Sequence, residues 1–184
     1  MKRRIFLVIG TVIGVCAMVF AMLAVVQRDT PGKAAVKALE LFWAGDLEEL
    51  MAFSAVDEKI LYEDLDIPVR DVLGSMRGSQ KNLWFQADAT TTLSQEEQDA
   101  YWQEYEEDLQ ESGLSLSRYI DKEKVEKMYR VEFSMGVDGE EQFTSREIEL
   151  LICKYDGEYC PIDFDEISGG LIEIWFMGGW YQWN

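Results

Sequence analysis

Cys153 and Cys160 flank Asp156-Gly157, and that spacing is the most chemically specific feature of the chain. Asp-Gly between apolar runs is a strong two-residue hairpin signal. Such a turn pairs Tyr155 with Glu158, Lys154 with Tyr159, and Cys153 with Cys160. Directly opposed, hydrogen-bonded residues have Cα atoms about 5.5 Å apart, within the usual range for a disulfide. The expected chemistry is a structural disulfide; the competing reading is two buried free thiols that face each other. A redox-active pair would need a low thiolate pKa and access, and Lys154 is the one basic neighbour in sequence.

The carboxylates offer two further chemistries. Asp163, Asp165 and Glu166 would serve acid–base hydrolysis if two of them flanked a scissile bond at roughly 5–9 Å. The plainer reading is a polar strand end. Glu96, Glu97, Asp99, Glu104, Glu106, Glu107, Asp108 and Glu111 form an acidic run. Calcium wants six or more oxygens converging on one point, whereas acids spread round a helix diverge into solvent. Asp163-Phe164-Asp165 begins like a calcium loop, but Ile167 stands where an oxygen ligand belongs. No metal site and no cofactor is expected.

The C-terminal aromatics are the candidate binding residues. Trp175, Trp180, Tyr181 and Trp183, with Phe176, would make a stacking platform for a peptide or a sugar. The alternatives are a last strand that closes the core and a belt at a membrane interface. Exposure of the tail would favour contact, because large exposed apolar patches mark interaction sites.

The chain has no histidine. That excludes Ser-His-Asp and Cys-His catalysis and histidine-containing zinc sites, and three cysteines are too few for an all-cysteine one. No catalytic residue is assigned, and enzyme activity stays undecided, leaning against.

The elements that must position these groups are legible in part. Thr30 is a helix N-cap with Pro31 at the first helical position. Ala34, Ala35, Ala38, Leu39, Phe42 and Trp43 then recur at helical spacing up to Gly45. Asp46 caps a short second helix through Leu47, Leu50, Met51 and Phe53. Residues 56–78 read as turns or short helices. Leu83 to Thr92 reads as a strand. Ser94 and Glu97 make a capping box that opens a helix to about Ser112, with Tyr101, Trp102, Tyr105 and Leu109 as its apolar stripe. A further helix is expected over Ser117 to Lys127. Tyr129, Val131, Phe133, Met135 and Val137 alternate with mostly polar residues, the period of a strand. Asp138-Gly139 makes a turn. Gln142 to Tyr155 and Tyr159 to Phe164 continue as strands, and Leu171 to Phe176 follows Gly169-Gly170. Helices first and strands after argue for an α+β domain.

The N-terminus decides where that domain works. Met1-Lys2-Arg3-Arg4 precedes an uncharged run from Ile5 to Val26, 22 residues long, and about 20 apolar residues span a bilayer core. The basic head predicts a cytoplasmic N-terminus and an exported remainder. A cleaved signal is the alternative, although its apolar core is usually about 7–15 residues and Met22 occupies the position where cleavage before Val25 wants a small residue. Cys16 lies mid-run and reads as an anchor thiol rather than a lipidation site. The division expected is 1–28 as signal anchor with a short cytoplasmic tail and 29–184 as an extracytoplasmic domain of about 155 residues, one ordinary domain. Three of the 17 basic residues sit in the head, leaving 14 against 35 acidic, a net charge near −21. Such a surface repels nucleic acid and suits solubility in an acidic envelope or a basic partner.

Two stretches carry a family resemblance. Phe42-Trp43-Ala44-Gly45-Asp46-Leu47-Glu48-Glu49-Leu50, after Thr30-Pro31, is similar to the opening helix, Gly-Asp junction and second helix of the nuclear-transport-factor-two-like (cystatin-like) superfamily. Tyr129 to Phe164, with Lys154-Tyr155-Asp156-Gly157-Glu158-Tyr159-Cys160-Pro161-Ile162, is similar to its long strand, hairpin and closing strand. The chain resembles, more narrowly, small anchored or secreted domains of this fold in Gram-positive bacteria. The resemblance implies helices packed into the concave face of a curved antiparallel sheet, a cone that often holds a pocket. Fold does not give function, and the acidic stretch from Gln95 to Lys127 departs from the pattern as an insertion.

The function expected is a single-pass, membrane-anchored extracytoplasmic binding domain without catalysis, attached through residues 5–26, with a protein or envelope-polymer partner and no nucleic acid. A structural subunit of an envelope secretion or conjugation complex is the alternative, and a carboxylate-dependent hydrolase the third.

Overall fold

A computed structural model describes residues 29–66, 83–137 and 149–162. The protein is α+β, with four α-helices and a curved antiparallel sheet among the described residues. Among those residues no helix is long and apolar enough to cross a membrane; the apolar run 5–26 lies outside them.

Helix α1 spans Pro31–Ala44 and α2 spans Leu47–Phe53. The Thr30 hydroxyl accepts from the Lys33 N–H, and Gly45 closes α1 with its N–H on the Leu41 and Phe42 carbonyls. Asp46 accepts from the Glu49 N–H and starts α2. The short-helix region resolves into α3, Glu58–Asp64, capped by Asp57. Strand β1 covers Leu83–Thr92 and α4 covers Gln95–Glu111. Strand β2 is Val125–Val137, β3 is Glu149–Tyr155 and β4 is Glu158–Pro161.

The sheet order is β1-β2-β3-β4, antiparallel throughout. A register shift between Ala87 and Ala89 leaves Asp88 without a partner position on β2. This bulge bends and twists the strand locally, and the Ser134 hydroxyl donates to the displaced Asp88 carboxylate. The β3–β4 turn has φ of 50° at Asp156 and 90° at Gly157. Both values fit the left-handed turn that joins two strands without splaying them.

Each face of the sheet carries a buried core, while Asp88 to Thr92 of β1 stay exposed. On one face Val131, Phe133, Met135, Leu150, Ile152 and Phe85 pack with Ala34, Ala35, Ala38, Leu39 and Phe42 of α1. The small alanines let α1 lie close across the strands, and Phe133 is only 2 % exposed; truncating such a residue to alanine costs about 3–5 kcal/mol. One residue along each strand, the side chains point the other way. There Met128, Cys153 and Cys160 stand in one row. They pack with Ile162 and with Trp102, Leu109, Leu116, Tyr119 and Ile120, and with Ala55, Val56 and Leu61. The acidic stretch after Gln95 is therefore the cover of a second core.

One expectation is corrected. Ser117 to Lys127 is not one helix: it holds 3-10 turns at Leu116–Arg118 and Lys122–Lys124, and β2 begins at Val125. Asp121 caps a fresh turn through the Glu123 N–H, and Val125 pairs with Tyr155, so strand pairing takes residues that helical spacing would claim. Within β2 the polar Ser134, between buried Phe133 and Met135, is itself only 1 % exposed. The Asp138-Gly139 turn, residues 142–148 of the expected strand, and everything from Asp163 onward lie outside the described residues.

Candidate functional site

Helix α4 is built to start sharply. The Ser94 hydroxyl accepts from the Glu97 N–H, while Glu97 Oε2 accepts from the Ser94 N–H at 2.7 Å and its hydroxyl at 2.8 Å. The Ser94 N–H, then its hydroxyl, and then Arg130 hold the Glu97 carboxyl below the usual carboxylate range. This reciprocal cap fixes the helix direction, and with it which side chains overhang the sheet. Trp102 and Leu109 turn inward. Tyr101 meets Trp102 edge to face at 5.2 Å and stacks with Tyr105 at 6.0 Å.

Between α4 and the start of β2 runs an open groove of about 530 Å³. Its lining includes Asp99, Trp102, Glu106, Glu107, Lys122 and Glu126, with glutamines 95, 98, 103 and 110 along the helix side. Trp102, 9 % exposed, belongs to the second core and reaches the lining only at its margin. Of its four carboxylates, Glu106 pairs with Lys122 at 3.5 Å and Glu126 with Lys154 of β3. Gln95 donates to Asp99 and Gln103 to Glu107, at 2.9 and 2.8 Å, so part of the lining is pre-ordered along the helix.

A second shallow depression lies between α1 and β1, lined by Thr30, Lys33, Val36, Lys37, Glu40 and Phe85 among others. Lys37 there is engaged, with Glu49 at 3.4 Å and over the Phe53 ring at 4.2 Å.

The cysteine opposition is as the hairpin demands: Cys153 pairs in register with Cys160. Both are buried free thiols in this structure, with their sulfurs 3.8 Å apart. The Cys160 thiol, and then burial, push the Cys153 thiol up. The candidate binding residues Trp175, Trp180, Tyr181 and Trp183, and the carboxylates Asp163, Asp165 and Glu166, lie outside the described residues. Among the described residues no three His, Cys, Asp or Glu side chains are placed to hold a metal ion.

Two features escaped sequence reasoning. Glu58, at the first position of α3, is 1 % exposed and engaged within the fold; a glutamate in a first helical turn reads as a solvated dipole partner. The groove escaped because its two walls are brought together only by packing. The acidic residues on α4 were the available signal, and they read as a solvated face. The chain matches no known family model, no curated protein and no solved structure.

Proposed function

We propose that the chain is a membrane-anchored, extracytoplasmic interaction domain without catalytic activity, and that its contact face is the groove beneath α4. The observation that carries this reading is the groove's makeup. Four carboxylates and a row of amides line an open depression along α4. An extended peptide bearing Lys or Arg fits that chemistry: its cations meet Asp99 and Glu107, and its backbone meets the glutamines. The net acidity of the chain raises the encounter rate with such a partner and makes it salt-dependent. The Gly45-Asp46 junction and the Asp156-Gly157 hairpin carry the cystatin-like resemblance, and the basic head with its apolar run supports the anchor.

The test is a titration of the full chain in detergent with a synthetic Lys-Ser repeat peptide, followed by Trp fluorescence. A Glu-Ser repeat of equal length is the control. The reading expects salt-sensitive binding of the basic peptide alone, weakened about ten-fold in Asp99→Asn/Glu107→Gln. Equal binding of both peptides, or no effect of the double substitution, would sink the groove assignment.

A further inference from the structure

We infer that Cys153 and Cys160 are an oxidation site, closed to a disulfide by a disulfide-bearing oxidant before the α4 side of the molecule covers the sheet. This stands apart from the groove reading, since neither thiol lines the groove. Three observations combine. The residues are direct cross-strand partners in a hairpin whose turn geometry fixes the register. Opposed residues of this kind have the Cα separation that a disulfide spans. Their sulfurs already touch, at 3.8 Å, so side-chain rotation with small backbone adjustment brings them to bonding distance.

Burial sets the order of events. Cys153 is 0 % and Cys160 is 7 % exposed, in one cluster with Trp102, Leu116 and Tyr119. An oxidant the size of a small peptide disulfide has no route to them while that cluster is closed. The hairpin itself is local, seven residues from thiol to thiol, and hairpins form in microseconds. The thiols therefore meet while the cover is still open. One thiolate attacks a sulfur of the oxidant and displaces its other half as a thiolate. The second cysteine thiolate attacks the mixed disulfide and releases the remaining half. Two protein thiols are oxidised, one oxidant disulfide is reduced to two thiols, and the protons pass to the released thiolates.

Trypsin makes the bond directly readable, because Lys154 lies between the cysteines and no Lys or Arg follows it. The full chain, reduced and unfolded in urea, is refolded in detergent with oxidised glutathione, alkylated and digested. The expected product is residues 147–154 covalently joined to 155–184 and separated by dithiothreitol. The reduced chain, folded first and then given the same oxidant, is expected to form this product at least about ten-fold more slowly, with urea restoring the rate. Separate alkylated or glutathionylated peptides after refolding, or linkage of either to the Cys16 peptide, would overturn the pairing. Equal rates from folded and unfolded chain would overturn the order.

Discussion

The Tyr119 hydroxyl donates to Asp64 Oδ2 at 2.9 Å, across 55 positions of sequence. Arg118 reaches the same carboxylate with two nitrogens, Nη2 at 2.9 Å from Oδ1 and Nε at 2.7 Å from Oδ2. The pair fastens the end of α3 to the turn that follows α4, next to the second core. Removing the hydroxyl with Tyr119→Phe leaves Asp64 with Arg118, so the loss is confined to one charge-assisted bond, about 1–3 kcal/mol. The change in urea midpoint at neutral pH measures it.

The same contact predicts an alkaline limit. Burial, and then the Asp64 carboxylate, hold the Tyr119 phenol above its ordinary value. A folded value above the unfolded one gives stability that is complete below about pH 10 and lost as pH rises through the folded value. Tyr129, raised by burial and then by Tyr159, acts in the same window. Tyr119→Phe is expected to flatten part of the fall in urea midpoint between about pH 9 and 11, and Tyr119→Phe/Tyr129→Phe more of it. An unchanged slope in the double variant would refute this.

The start of α4 sets an acid limit. Glu97 is held below its ordinary value, first by the Ser94 N–H, so its contribution is present above the unfolded value near 4.5 and fades as pH falls through the folded one. Ser94→Ala removes the hydroxyl cap and is expected to cost about 1 kcal/mol at neutral pH. Glu97→Gln is expected to reduce the acid dependence of the melting temperature between about pH 5 and 3. Thermal scans of both variants against the parent chain decide it.

Trp84 lies over Gly136, its cross-strand partner, so closely that any Cβ there meets the indole ring. Gly136→Ala therefore overpacks, at a cost of about 1–3 kcal/mol. In a Trp84→Ala background the added methyl has room, and the substitution becomes nearly neutral or favourable, since alanine suits a strand better than glycine. A double-mutant cycle in denaturant measures the coupling; strictly additive effects would show that the ring is not what excludes the methyl.

Closing Cys153–Cys160 restrains a short loop in the unfolded chain. For about eight residues the loop-entropy argument gives about 2–3 kcal/mol, or about 5–10 °C in melting temperature for a domain of this size. Melting the oxidised and reduced forms of the same preparation reads the difference. Coincident transitions would mean that strain in the oxidised hairpin offsets the entropy.

Much of this architecture is decided within a few residues. Thr30-Pro31 and Gly45 bound α1 because their effects act inside one turn: a hydroxyl on a free N–H, a preset φ, and a backbone N–H folded onto the last carbonyls. Leu83–Thr92 is the strand its composition suggests, the Ser94–Glu97 box opens α4, and Asp156-Gly157 alone sets Cys153 opposite Cys160. The tertiary structure decided what depends on distant partners. Leu116, Tyr119 and Ile120 have helical spacing, yet Asp64 holds Tyr119 and Tyr155 takes Val125 into the sheet, so the chain turns in 3-10 steps instead. That the row of Met128, Cys153 and Cys160 has a cover, and that α4 with β2 encloses an acidic groove, follows from packing between segments far apart in sequence. Periodicity shows which side chains share a face; only the closed structure supplies what lies against that face.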